Sequence, residues 1–395
     1  MKILQINNSH YKSGGAETVF FNIIELLKHK GHKVITLSMM NSKNVEVGDD
    51  DYFVNGHNFL HNKFYSFEAR KKLLKLIAIE KPDIAHFHNI IGGITFSILP
   101  VLKQMGIPVI ATVHDFRILC PAFIFINGNN EICERCKSGK FYNSVIYNCS
   151  PEGQYRSLLI AAESYSRKYL VPYNRFIDSI IFVSNFVQEK FFEVQKDIDK
   201  KSFQLYNFVN KIDPDETFGD YFLYFGRLAR EKSLFTLLES FKMLPNLKLK
   251  IVGEGSLKEV LEQRKPSNVE LIGYKTGDEL INFIKKASFV IASSECYETN
   301  SMTTVEAYSM GKPVIGSNIG AISELIDNGS TGFLYEPKNS VQLSKLLNKC
   351  SMISKEDYNI MSKNVQVVVK NKFSSEVYYD QLINVYNRVL ESAKK

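Results

Sequence analysis

The stretch from Ala287 to Ile315 constrains this chain most. Ala287–Ala292 is an apolar run that reads as a buried strand, and Gly311-Lys312-Pro313 reads as a helix stop followed by a second apolar run. The unit between is strand, loop, helix, strand. Ser301, Thr303 or Thr304 can cap the helix near its start. A helix start offers unpaired backbone N–H groups and a positive dipole end, which suits a phosphate. Two carboxylates bracket the turn: Glu298 in the loop and Glu306 on the helix. Either can accept hydrogen bonds from sugar hydroxyls. Two glutamates at that separation would also fit a solvated helix face, so the weight lies on the company they keep.

A chain of 395 residues is too long for one ordinary core and suits two domains. Hydrophobic residues make up 45%, which predicts a folded protein rather than a disordered one. The net charge of +7 favours anionic partners, a sugar nucleotide or an anionic membrane face among them. No apolar run reaches the length that spans a bilayer, and the chain enters a strand at Lys2–Ile6 without a leader before it. These features set the expectation of a cytoplasmic protein, with the inner face of the membrane as a possible station.

Strand-then-helix repeats through both halves. In the first, Asn7–Glu17 is a polar loop after the first strand, and Gly14-Gly15 would let the backbone approach a ligand where open parallel sheets bind them. The glycine spacing is not that of a dinucleotide fingerprint. Residues 45–62 read as an irregular, mobile insertion. His88 and His114 each close an apolar strand, and a histidine there points into a cleft or serves the core. Cys120, Cys133, Cys136 and Cys149 are spaced Cys-x12-Cys-x2-Cys-x12-Cys, a count that fits a structural zinc; four buried thiols are the alternative. The helix over Tyr155–Phe176 mixes arginines and lysine with tyrosines and leucines. That is the pattern of an interfacial membrane helix, but the plainer expectation buries its apolar residues against the sheet.

In the second half, Tyr221–Phe225 starts a new sheet after a polar linker, Asn210–Asp220. Gly226-Arg227 and Lys232 then place two cations ahead of a helix, a good diphosphate clamp.

Together these strings resemble the family-4 retaining glycosyltransferases. Glu298 and Glu306 match the Glu-x7-Glu signature, Gly226-Arg227-Leu228 with Glu231-Lys232 matches the Gly-Arg-Leu…Glu-Lys-Gly element, and Gly14-Gly15-Ala16-Glu17 matches the first loop. Thr299-Asn300-Ser301 stands where many members have Gly-Phe-Gly, and Ser233 replaces a glycine. The resemblance implies an α/β GT-B fold: two Rossmann-like domains facing a central cleft. Residues 1–205 with 376–395 would form the acceptor side, carrying the Cys-bearing insertion at 120–149. Residues 206–375 would bind the nucleotide sugar. The implied reaction moves a sugar from a nucleoside diphosphate donor to a hydroxyl of a glycan or lipid-linked acceptor, retaining configuration, in bacterial surface polysaccharide synthesis. Arg227, Lys232 and the helix dipole would carry the leaving-group charge, so catalysis requires no metal cofactor. Glu306 would hold the ribose. Glu298, His114 and the N–H groups over Asn300, Ser301, Met302 and Thr303 would position sugar and phosphate, with Gly14 and Gly15 facing the donor phosphates. The rival readings are a GT-B sugar-nucleotide epimerase and a non-catalytic sugar-nucleotide or membrane-binding module; nucleic acid is not an expected partner.

Overall fold

The computed structural model describes residues 1–12, 14–45, 48–55, 60–210, 212–215 and 217–394, with residues 60 and 61 described in backbone only. The chain forms two compact units, Met1–Tyr206 with Tyr378–Lys395, and Asn207–Val377.

The first unit holds a parallel sheet of strands β1 (Lys2–Ile6), β2 (Lys33–Met39), β3 (Asp51–Val54), β4 (Ile84–Phe87), β5 (Val109–Val113), β6 (Ser179–Phe182) and β7 (Ser202–Gln204). Their order is β3-β2-β1-β4-β5-β6-β7. The inner strands are apolar runs because helices cover both faces. Ile3, Leu4, Ile35, Ile84, Ile110 and Ile181 are fully shielded, each contributing roughly 1.5–3 kcal/mol of burial. The irregular insertion expected over 45–62 is corrected in part: β3 pairs parallel with β2 at the sheet edge, and a 3-10 turn spans Leu60–Lys63. Residues 46, 47 and 56–59 of that expectation lie outside the described residues, as do Ser13 of the first loop, Lys211 and Glu216 of the linker, and Lys395.

The second unit has strands β8 (Phe222–Phe225), β9 (Leu249–Val252), β10 (Val269–Gly273), β11 (Val290–Ala292), β12 (Val314–Ser317) and β13 (Gly332–Tyr335). They form one parallel sheet ordered β10-β9-β8-β11-β12-β13. Phe222, Phe241, Phe289, Ile291, Leu343 and Tyr358 anchor its core. Both units are Rossmann-like, as a GT-B fold requires.

Two expectations about the first unit are overturned. Among the described residues no group of three or more His, Cys, Asp or Glu side chains could hold a metal ion, so the structural zinc expected on Cys120, Cys133, Cys136 and Cys149 is withdrawn. All four cysteines are free. Burial pushes the Cys120 and Cys136 thiols up to about 12 and the Cys149 thiol up to about 11, so each keeps its proton. The segment is held instead by its own backbone, with Cys133 N–H donating to Phe125 O at 2.8 Å and Gly128 N–H to Tyr147 O at 2.9 Å, and by Phe116 packed on Phe125.

The helix Gln154–Leu170 also departs from expectation. It ends at Leu170 rather than Phe176, and the expected burial holds only in part: Ser157, Ala161, Ser164 and Arg167 are buried, Leu159, Ile160 and Tyr165 half-buried, and Tyr155, Leu158, Tyr169 and Leu170 face solvent. Arg167 reaches the interior because Glu163 Oε1, 3.1 Å from its Nε, and the Arg117 carbonyl satisfy the guanidinium.

Candidate functional site

In an open parallel sheet a ligand crevice forms where strand order reverses, at the carboxyl ends of the strands. In the second unit that point lies between β8 and β11. Arg227 and Lys232 follow β8; Glu298 and the helix Met302–Ser309 follow β11. The two loops are laced together. Ser293 Oγ donates to Lys232 O at 2.8 Å, and Glu295 N–H donates to Glu231 O at 2.8 Å. Lys232 Nζ donates to Glu298 Oε1 at 2.6 Å. Burial opposes the charge on Lys232, but the Glu298 carboxylate prevails and holds the ammonium above the ordinary lysine range. The sequence therefore names both partners of this pair without foreseeing that they pair with each other.

Ser301 caps the helix: its Oγ accepts the Thr304 N–H at 3.4 Å and lies 2.8 Å from Thr304 Oγ1. At such a start the first amides, those of Met302 and Thr303, have no partner inside the helix. Thr303 Oγ1 donates to Phe225 O at 3.4 Å, which sets the helix start against the end of β8. Asn300 turns its amide nitrogen toward Met302 Sδ at 3.5 Å and leaves its buried Oδ1 without a partner among the described residues. Glu306 lies one turn on, half-buried. Burial alone pushes its carboxyl up to about 7, and among the described residues its carboxylate has no ion-pair partner. This is a carboxylate poised to gain hydrogen-bond donors.

Arg227 is placed differently from Lys232. Its guanidinium is 63% exposed and pairs with Glu231 Oε1 at 2.7 Å. The loop beneath it is fixed by Gly253: a Cβ there would stand 1.9 Å from Gly226 O. Leu228 N–H donates to Glu254 O at 2.8 Å. Ser233, where the family carries glycine, adopts φ 55° and ψ 27°, a left-handed conformation that glycine takes at no cost. Its hydroxyl donates to Glu295 Oε1 at 3.0 Å. Gly320, passed over in the sequence, has φ +58°, and a Cβ on it would lie 2.6 Å from Glu298 N. Ala321 N–H donates to Glu298 O at 2.9 Å, so this turn holds the Glu298 loop. The clue was the glycine in Ser317-Asn318-Ile319-Gly320, just after the next strand, β12.

In the first unit Gly14 and Gly15 open the helix Gly15–His29. Gly14 is extended, and a Cβ on it would meet only the Glu17 side chain at 3.4 Å. The chain itself does not demand glycine there; small size leaves the helix start open. His114 follows β5, and His88 follows β4. His88 Nε2 lies 3.0 Å from Gln5 Oε1 and His88 Nδ1 lies 2.8 Å from His114 Nε2. Burial lowers all three buried histidines of this strip: His86 to about 3, His114 to about 4, and His88 well below its usual value. All are therefore neutral, and the network fixes the tautomers of His88 and His114. The Gln5 carbonyl can only accept, so His88 carries its proton on Nε2. His88 Nδ1 then accepts from His114 Nε2–H, and the Nδ1 lone pair of His114 is an acceptor. Gln5 Nε2 donates to Tyr386 OH at 3.2 Å, Tyr386 OH lies 2.8 Å from His86 Nδ1, and His86 Nε2 lies 2.7 Å from Thr112 Oγ1. Sequence reasoning missed Gln5 and Tyr386; a glutamine inside the apolar strand Lys2–Ile6 was the available signal.

The chain matches the family described as Glycosyltransferase Family 4 over residues 13–211 and the one described as Glycosyl transferases group 1 over residues 209–368. It is 29% identical over 196 residues to an uncharacterized glycosyltransferase of Methanocaldococcus jannaschii, a match covering 47% of this chain and 54% of that protein. It is 25% identical over 344 residues to the capsular polysaccharide biosynthesis glycosyltransferase CapM of Staphylococcus aureus, covering 83% of each. Among solved structures, HepE of Anabaena in complex with UDP and glucose superposes with a TM-score of 0.66 at 18% identity, over 98% of this chain and 99% of that one. At that identity the likeness is one of fold.

Proposed function

The chain belongs to Glycosyltransferase Family 4, and on that premise we propose that it transfers a sugar from a nucleoside diphosphate donor to a hydroxyl of a glycan or lipid-linked glycan, with retention of configuration, in surface polysaccharide synthesis. The observation that carries the donor reading is the switch point of the second unit. There two cations follow β8, and a capped helix start and a carboxylate lacking any ion-pair partner among the described residues follow the neighbouring β11. The link to surface polysaccharide rests on the similarity to CapM, a capsular polysaccharide enzyme.

In this reading Lys232 and Arg227 take the diphosphate, exchanging their carboxylate partners for phosphate oxygens, while the amides of Met302 and Thr303 add the helix dipole. Glu306 accepts the ribose hydroxyls. Glu298 and Asn300, ahead of the helix, meet the sugar. Charge on the departing diphosphate is met by fixed cations and amides, so the bond to the anomeric carbon can break without bulk water's help. The first unit serves the acceptor, with Gly14 and Gly15 at an open helix start facing the donor phosphates and the acceptor, and His114 at the end of β5 positioning the transferred sugar. An acceptor carried on a lipid is met at the membrane face.

The test is a panel of nucleoside diphosphate sugars with lipid-linked and free glycan acceptors. Release of nucleoside diphosphate only when acceptor is present, and a product with the donor's anomeric configuration by NMR, are expected. Donor consumed without acceptor would favour an epimerase, and binding without any turnover would favour a non-catalytic module. Arg227→Ala should weaken binding of the donor by about 1.5–3 kcal/mol, the worth of a charge-assisted hydrogen bond, less what its present pairing with Glu231 returns.

A further inference from the structure

The helix Gln154–Leu170 is packed inside out. Its small and polar residues face the interior, and Tyr155, Leu158, Tyr169 and Leu170 are between 52% and 70% exposed. At 3.6 residues per turn these four fall within an arc of about 120°, one continuous stripe along the helix. Tyr142 and Ile146, on the short helical segment packed beside it, are exposed as well. Tyr142 N–H donates to Tyr165 OH at 3.3 Å, which ties that segment to the helix. A soluble surface does not gather large apolar side chains on one stripe while burying serines behind it.

Charge says what covers the stripe. The helix carries Arg156, Arg167 and Lys168 against one carboxylate, Glu163, which Arg167 already neutralises from the inside; Arg156 has only the loose, solvent-exposed pair with Glu152 ahead of the helix, Nε to Oε2 at 3.7 Å, which bulk water screens. Arg156 borders the stripe at its start, Lys168 is exposed at its end beside Tyr169, and Lys140 is exposed on the neighbouring segment. Lys168 Nζ lies 5.5 Å from the centre of the Tyr169 ring. A second copy of the chain docked about a twofold axis would bring these flanking cations against their own like charges. An anionic lipid surface meets them with opposite charge, and tyrosines and leucines fit the boundary between headgroups and acyl chains.

We propose that this face docks the protein on an anionic membrane, the helix lying in the plane of the headgroups. The inference does not depend on the sugar-transfer reading, because it predicts binding to lipid with no donor present.

The experiment uses the full chain with vesicles of phosphatidylglycerol and phosphatidylcholine, and with vesicles of phosphatidylcholine alone. Co-sedimentation with the anionic vesicles, weakened by salt, is expected. The triple variant Tyr155→Ser, Tyr169→Ser, Leu170→Ser should lose affinity by about tenfold or more while keeping its thermal midpoint, since the replaced side chains are exposed. The sequence has no tryptophan, so Leu158→Trp supplies a single reporter. Its emission should shift to the blue on anionic vesicles and be quenched by brominated acyl chains, whereas Val341→Trp, exposed on the second unit, should do neither. A protein that stays in the supernatant with both vesicle types overturns the proposal. So does a triple variant that binds as the wild type does, or a wild-type dimer that the variant loses without any lipid binding.

Discussion

Lys232 Nζ lies 2.6 Å from Glu298 Oε1, joining the loop after β8 to the loop after β11 at the reversal of strand order. Before any ligand arrives, the strongest cation of the crevice is neutralised by the carboxylate expected to face the sugar. A diphosphate must therefore compete with Glu298 for Lys232, and the pair is a ready exchange of one anion for another.

Glu298→Gln removes the competitor while keeping shape. Affinity for the nucleoside diphosphate, read by calorimetry, should stay level or rise, because Lys232 keeps its charge for the phosphate. Turnover should fall by about a hundredfold, since charge placement beside the reacting carbon matters mainly in the transition state. A variant that loses nucleotide affinity would put this carboxylate on the nucleotide and reverse the assignment.

Glu306 gives a pH signature. Burial holds its carboxyl up to about 7, well above the range it has in an unfolded chain. The ligand-free fold therefore loses stability as pH rises from that lower range toward 7, where the unfolded chain has given up a proton that the folded one keeps. Ribose hydroxyls donate to the charged form. Nucleotide affinity should accordingly fall as pH drops below about 7, by at most about tenfold per unit, and Glu306→Gln should flatten that slope. An equal slope in the variant would mean that another group carries the proton.

Gly320→Ala pays twice, through its left-handed backbone and through a Cβ only 2.6 Å from Glu298 N. We expect a loss of about 1–3 kcal/mol in chemical denaturation and a larger fall in turnover than in nucleotide affinity. Gly329→Ala is the control: φ is +89° but nothing lies within 4 Å of the new Cβ. It should cost about 1–2 kcal/mol and leave turnover alone. Matching losses of activity would show that Gly320 does nothing special for the Glu298 loop.

The buried histidine strip predicts acid sensitivity. His86, His88 and His114 have folded values depressed below the unfolded one, so their contribution is complete above about pH 6.5 and is lost as pH falls toward their folded values. Each adds a slope of about 1.4 kcal/mol per pH unit within that window. Tyr386→Phe should cost about 1–3 kcal/mol at neutral pH, because Gln5 Nε2 and His86 Nδ1 both lose the hydroxyl between them. Stability independent of pH between 6.5 and 5 would contradict the neutral assignment.

The parallel sheets were legible because strands buried on both faces must be written as mostly apolar runs, as Phe222–Phe225 and Val290–Ala292 are. The capped helix start was legible too, since Ser301 sits one residue before Met302 and the cap is a local hydrogen bond. The edge strand Asp51–Val54 was not. Tyr52-Phe53-Val54 is a strand-forming run, but it is only three residues long and sits between the polar Gly48-Asp49-Asp50-Asp51 and Asn55, so its pairing with β2 is what marks it as a strand. The zinc expectation failed for a related reason. Cysteine spacing fixes separation along the chain, whereas a metal needs convergence in space.

The sequence by itself determined the periodicities, the caps and which residue types flank the reversal of strand order, because these depend on near neighbours along the chain. Only the tertiary structure decided that Lys232 answers Glu298, that Tyr386 closes a strip begun by Gln5 several hundred residues earlier, and that the helix Gln154–Leu170 turns Ser157 and Ser164 inward and Tyr155 and Tyr169 out. Those outcomes depend on which surfaces meet, and the free energy of burial and pairing belongs to contacts that sequence distance does not encode.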